Sequence, residues 1–453
     1  MARVMASHVN ALLEEVLPVL GLDERYASAH LLVQPGNGLP ASLAANSLAC
    51  GSVAAAALSG LALHGGSHVV VDPRQVSVAF RGDQLLNVDG RQFTSFAPLS
   101  GFFATADGWV RTHANYPHHE RRLLDVLGLP AGADRDALAA ALAGMRAQAA
   151  EDLVTQAGGV LARVRTAEEW RSSEQGRAVD ELPLLARDLV AESEPLEAPY
   201  RPKVLDLTRV IAGPVATQTL GYVGADVLRV DSPHLVEPED MYALTSSEKH
   251  STLLDLDAHA DRQTFEELLG TADVVVTGYR PDALDRFGLS SAELAERHPH
   301  LVHATLTAWG SEGPWRRRRG FDSIVQAATG IAMAESPDGV RPGVLPAQAL
   351  DHATGYLLAA GVFAALRARS LSGGVWRVSA HLARTAHWLL DAEPDAEPGQ
   401  LVPAPETYQS VVRGDAGLIL ASKPAFSIGE RDSFSRMGGR WGADEPRWVD
   451  DPR

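Results

Sequence analysis

Cysteine is almost absent: Cys50 stands alone in 453 residues. No internal disulfide can form, so a reducing, cytoplasmic setting is expected. Long apolar runs are missing too. The longest weakly polar stretch, Leu48–Leu63, covers about 16 residues, short of the roughly 20 that a bilayer crossing needs. Its alanine and serine content reads instead as a tightly packed helix. Glu14 and Glu15 interrupt the apolar run Met1–Leu22, which excludes a secretory signal core and leaves a short amphipathic helix. No membrane partner is expected. Positive charge is scarce, with 40 lysines and arginines against 57 acidic residues and a net charge of −17. A nucleic-acid partner is therefore not expected. Neither G-x-G-x-x-G nor a G-x-x-x-x-G-K motif occurs, so NAD and ATP readings lose support. His113, His118 and His119 cluster around a turn, but no helix-borne H-x-x-x-H or cysteine partner completes a ligand set, and no metal is expected.

What is present is ordinary globular material, 45% hydrophobic and 21% charged, enough for at least two domains of about 150 residues. Residues 45–63 read as a helix, followed by strand-like runs at His68–Val71 and Val76–Phe80. Residues 117–190 carry helical spacing, with a capping box at Thr166–Glu169. The acidic, proline-bearing stretch 191–203 reads as a linker. Beyond it the grammar becomes strand–turn–helix. Val204–Leu207, Asp226–Val230, Asp273–Val276 and Leu301–Leu306 are strand-like, with helical text such as Val215–Val223 between them. This alternation predicts an α/β fold with a doubly wound parallel sheet, in which ligands bind beyond the carboxyl ends of the strands.

A weak repeat also shows. Val53–Gly66 resembles Gly361–Gly374, with Gly65 and Gly373 separated by 308 positions, and a strand-like run follows each copy.

Three motifs carry chemistry or a plainer role. Thr208–Gln218 joins a strand to a helix through Gly213-Pro214; its backbone N–H groups suit an anion, and a proline-opened helix is the simpler account. Arg316–Arg319 is the strongest basic run. A solvated loop explains most such runs, while guanidinium groups after a strand end also match phosphates. Asp351 precedes the alanine-rich helical stretch Tyr356–Arg369. A helix cap is the plain reading and wins on this motif alone; a carboxylate at a helix start also suits a nucleophile for acyl transfer.

In chain order, Val204–Gln218, Gly224–Val230, Ser247–Asp257, Ala272–Leu289, Trp309–Gly330 and Asp351–Gly374 together resemble the class III CoA-transferases, the CaiB/BaiF family. The resemblance spans about 170 residues. It implies a Rossmann-like CoA-binding domain over 204–390. Leu99–Gly108 and Arg165–Trp170 resemble the family's small α/β domain, assigned here to 96–190, ahead of the large domain rather than after it. Residues 1–95 then read as a truncated first copy packing on the large domain, and 391–453 as a return segment. The 308 offset sets Asp351 against Leu43, so one active site per chain is implied.

By the same resemblance, Asp351 would be the nucleophile of an acyl-CoA:carboxylate CoA-transferase that works through an aspartyl anhydride and an enzyme–CoA thioester. The substrates would be an acyl-CoA and a carboxylic acid acceptor, with coenzyme A entering as a thioester and no cofactor held permanently. CoA contacts are expected from Arg209, Ile211, Leu254, Gly278, Tyr279, Arg286 and Arg319. Tyr279 would face adenine; Arg286 and Arg319 would face phosphates. Gly320-Phe321-Asp322 stands where the related 2-methylacyl-CoA racemases carry G-H-D, so transfer is favoured over racemisation. A racemase-like enzyme and a non-catalytic CoA-binding homologue are the alternatives. Family members form interlocked dimers, so a homodimer is a further expectation.

Overall fold

The structure is a computed structural model and describes residues 7–449 apart from 37, 94, 198–200, 398, 415 and 416. Its frame is a seven-stranded sheet in the order Lys249–Leu253, Asp226–Asp231, Lys203–Leu207, Val274–Thr277, Val302–Thr307, Val375–His381 and Ala186–Ala191. The first six run parallel, and the last is antiparallel at the edge. Val204, Leu205, Val274, Val275 and Val276 are fully buried, as expected of parallel strands covered by helices on both faces. The order reverses between Lys203–Leu207 and Val274–Thr277, so the crevice beyond their carboxyl ends is the binding position for such a sheet.

A buried ion pair fixes that crevice. Lys249 Nζ lies 3.1 Å from Asp206 Oδ2 and donates to the Pro214 carbonyl at 2.7 Å. Asp206 also accepts from the Thr208 backbone N–H and the Thr217 hydroxyl. Burial draws the Lys249 ammonium down to about 8, and Asp206 opposes that shift. The strand end, the turn and the start of helix Ala212–Val223 are thereby tied together.

Two alanine-rich helices, Ala45–His64 and Ala349–Ser372, pack against each other. Ser59 Oγ donates to the Ala360 carbonyl at 2.8 Å across that seam. Both are long and apolar enough to cross a membrane, yet both are covered almost entirely by the rest of the protein. Each ends at a Gly-Gly pair with positive φ, at Gly65-Gly66 and Gly373-Gly374, which frees the chain to turn into strands Val69–Val71 and Val375–His381.

The small unit is an antiparallel sheet of Gly101–Thr105, Gly108–Thr112 and Leu161–Arg163, backed by three helices. Its core runs from Leu99 to Leu161. Here the structure departs from the expected boundary at 190. Trp170, Val179, Leu184 and Leu185 belong to the core of the large sheet, and Ala186–Ala191 is the edge strand of that sheet. Ser193 then holds the turn after the long helix by accepting from Gly374 N at 3.1 Å. Residues 198–200 of the expected linker lie outside the described residues, as do residues 1–6 of the expected N-terminal helix, which is described over Ser7–Leu20.

A second correction concerns Val76–Phe80, read as a strand. It is part of helix Pro73–Phe80, because Asp72 caps the backbone N–H of Arg74 and Pro73 opens the first turn. The C-terminal segment returns twice. Its hairpin pairs with Asn87–Val88, and Val449 N reaches Asp226 in the large sheet at 2.9 Å.

Candidate active site

Asp351 is the third residue of helix Ala349–Ser372, not its cap. The capping is done from a distance: Asp322, at the start of helix Asp322–Thr329, accepts the backbone N–H of Asp351 at 3.0 Å. Asp322 is itself held by the Gln326 amide, whose oxygen accepts from Leu345 N at 3.1 Å. With the helix end satisfied by another residue, the Asp351 carboxyl receives no hydrogen bond from any described residue. It is nearly buried, at 6% exposure.

Three carboxyls meet here. Burial raises Asp351 well above the usual carboxylate range, and the charges of Asp322 and Asp83 add to that rise. Asp322 is pushed up to about 6 by burial, against the hydrogen bonds it accepts. Asp83, contributed by the N-terminal segment, is raised by burial as well. Neighbouring like charges with little solvent hold protons longer than an exposed acid does. Asp322 was visible in the sequence only inside Gly320-Phe321-Asp322, and nothing marked Asp83.

Gly355, one turn beyond Asp351, sets the next contact. A Cβ there would stand 2.4 Å from the Ala212 carbonyl, so glycine lets this helix press against the start of helix Ala212–Val223. That close approach seats the turn after Asp351 against Ala212 and Val215, which directly follow the turn carrying Arg209 and Ile211. Val210, between them, adopts φ +71°, a strained conformation for a β-branched residue. It lines a cavity of about 640 Å³. The other walls come from the N-terminal segment (Phe93, Phe96), the small unit (His113, Tyr116) and helix Glu239–Thr245 at Met241.

The predicted CoA contacts fall into distinct settings. Arg209 pairs with Glu237 at 3.0 Å and sits over the Tyr116 ring. Ile211 is buried at the helix start. Gly278 abuts Thr208, 3.4 Å from its Cβ position, which brings it to the same crevice. Leu254 and Tyr279 share one apolar cluster at the strand ends. Arg286 stands apart on the surface, paired to Asp257 at 2.9 Å and stacked over Phe287.

The basic run divides. Arg316 and Arg317 share Asp282, and Arg318 lies over Trp315 with Thr155 as a partner. Arg319 has no carboxylate within ion-pair distance among the described residues. Its guanidinium is lowered by burial and then by the neighbouring Arg280 and Arg122. His118, between the two units, feels Arg122 and Arg319 as well. Arg319, Arg122 and Arg280 thus lie close together, none with a carboxylate at ion-pair distance among the described residues.

The three histidines do not form a ligand set. His113 stacks flat on Phe321, and His119 meets the same ring edge-on. Among the described residues no three histidine, cysteine or acidic side chains converge as a metal site.

Residues 202–410 match CoA-transferase family III. A probable fatty acyl-CoA transferase of Mycobacterium tuberculosis is 35% identical over 197 residues, 40% of this chain and 50% of the relative. Succinyl-CoA:glutarate CoA-transferase of Mus musculus is 33% identical over 186 residues, 38% of this chain and 42% of the relative. Acetyl-CoA:oxalate CoA-transferase of Acetobacter aceti is 32% identical over 182 residues, 38% and 47% respectively. The chain thus spans about half the length of the curated relatives it matches. An orthorhombic crystal structure of the M. tuberculosis protein shares 32% identity with a TM-score of 0.40, over 44% of this chain and 57% of that one.

Proposed function

Residues 202–410 match CoA-transferase family III, and from that premise we propose that the protein moves coenzyme A from an acyl thioester to a carboxylic acid, with Asp351 as nucleophile. The observation that carries this reading is the division of labour between two carboxyls. Asp322 seats the helix, and the nearly buried Asp351 carboxyl is left without a hydrogen-bond partner among the described residues.

The steps balance without a net proton. A carboxylate oxygen of Asp351 attacks the thioester carbonyl, the C–S bond breaks, and CoA thiolate leaves a mixed anhydride. The thiolate then attacks the aspartyl carbonyl and expels the donor acid as a carboxylate, giving an enzyme–CoA thioester. The acceptor carboxylate attacks that thioester and releases thiolate. The thiolate captures the acceptor acyl group and frees Asp351. One thioester and one free carboxylate stand on each side, so the driving force is small, and binding energy from the remote nucleotide serves to hold the reacting atoms in place. Arg319, with Arg122 and Arg280, supplies the positive edge for the phosphates; Tyr279 and Leu254 supply the apolar surface for adenine.

Both the small unit and the large sheet line the cavity within one chain, which supports a reading of one site per chain. The lone, buried Cys50 fits a cytoplasmic setting. The direct test is incubation with a panel of CoA thioesters and free acids, followed by hydroxylamine and mass spectrometry. A hydroxamate at position 351 is expected. Full transfer activity in Asp351→Ala would rule the mechanism out.

A further inference from the structure

His113 follows strand Gly108–Thr112 and is 5% exposed. Its ring lies flat on Phe321, with centroids 3.8 Å apart and planes 2° from parallel. Phe96 meets it edge-on. The orientation is therefore set by ring contacts, with His119 also edge-on. Nδ1 is buried without a hydrogen-bond partner in any other described residue, and the ring's one main-chain contact is with His113 itself. A buried polar group left unpaired is costly and calls for an explanation. The same ring lines the 640 Å³ cavity, and Phe321, on which it rests, immediately precedes Asp322, the residue that holds the Asp351 backbone. An oriented imidazole with no partner residue thus lines this space, linked through Phe321 and its neighbour Asp322 to the backbone of the nucleophile.

Burial lowers His113 to about 3, with His119 and Arg111 acting in the same direction, so the ring is neutral at working pH. A neutral imidazole donates one N–H and holds its second nitrogen as an acceptor. It can stabilise a developing oxyanion without handing a proton to the carboxylate or the thiolate, either of which would stop the reaction.

We propose that His113 donates a ring N–H to the acyl carbonyl oxygen of the bound thioester, whose acyl group lies along the apolar wall of Phe93, Phe96, Val210 and Met241. When an Asp351 oxygen bonds to the carbonyl carbon, the π pair moves onto oxygen and the N–H steadies that charge. When the C–S bond breaks, the pair returns and the proton has stayed on nitrogen. This inference rests on the reading of Asp351 as nucleophile.

The experiment uses full-length Asp351→Asn, so that the thioester is not consumed, and isobutyryl-CoA carrying ¹³C at the carbonyl. Difference infrared spectroscopy reads the carbonyl stretch, and calorimetry reads binding. With His113 present, the stretch of the bound thioester is expected below its solution value. His113→Gln, which keeps a donor, should retain part of that shift, and His113→Phe should lose it. In the Asp351 background, His113→Phe should lower kcat about 100-fold with KM changed by no more than roughly threefold. A bound thioester whose stretch equals the solution value with His113 in place overturns the proposal, whatever the variants do. Absence of any binding by isobutyryl-CoA, acetyl-CoA or free CoA would overturn both this inference and the transferase reading, whereas binding without the shift overturns this one alone.

Discussion

Asp322 Oδ2 accepts the backbone N–H of Asp351 at 3.0 Å, across 29 residues of sequence. One carboxylate closes the helix end and the next is released from that duty. The expected consequences can each be measured.

Asp351→Asn keeps the shape and removes the charge. Transfer should fall by at least about 1,000-fold, roughly 4 kcal/mol in the barrier, and the hydroxylamine-trapped adduct should vanish. Because a crowded, buried acid is exchanged for a neutral group, the melting temperature should hold or rise. A fall in melting temperature would mean that the carboxyl serves the fold.

Asp322 governs pH dependence. Its folded-state value lies near 6, above the usual carboxylate range, so the folded protein binds more protons than the unfolded chain between about pH 4 and 6. Its contribution is fully present below that window and is lost as pH rises through it. Urea midpoints should therefore decline across the window in the native protein and decline less in Asp322→Asn. The same variant removes a negative charge beside Asp351, so the acid limb of kcat/KM should move to lower pH. A limb at the same place would show that the two carboxyls do not communicate.

Lys249→Met strands Asp206, which is fully buried. Removing one partner of a buried pair costs about 3–5 kcal/mol, and urea denaturation should show a loss of that size. A double variant, Asp206→Asn with Lys249→Met, should recover much of it.

Arg319→Ala and Arg317→Ala should separate. Arg317 is engaged with Asp282 at the surface, whereas Arg319 faces no carboxylate among the described residues. Loss of one phosphate contact is expected to weaken CoA binding about tenfold for Arg319→Ala, near 1.4 kcal/mol, and to leave Arg317→Ala almost unchanged. Calorimetry at two salt concentrations checks both values, since the Arg319 contribution should shrink with added salt.

The strands Lys203–Leu207, Asp226–Asp231 and Val274–Thr277 were readable because each is a short apolar run bounded by turn residues, whereas Asp351 was singled out only by the family resemblance, its place before an alanine-rich stretch pointing to a cap. Val76–Phe80 misled because its alternation mimics a strand, while the deciding signal, Asp72-Pro73, lies just upstream. Asp351 looked like a cap because the true capping group comes from Asp322, and no local pattern reports a partner that distant. The cavity escaped for the same reason: Phe96, His113, Val210 and Met241 come from four separate stretches and meet only through packing.

The helix Ala45–His64 has a seat of its own. Asp395 accepts from the backbone N–H groups of Asn46 and Ser47 and from the Ser47 hydroxyl. Ser47 holds the third position of that helix, as Asp351 does in the other, and its only reactive oxygen is already occupied. Labelling stoichiometry should therefore saturate at a single equivalent per polypeptide. Grafting an acid onto Ser47, four positions beyond the Leu43 that the 308 offset sets against Asp351, would first require dismantling Asp395.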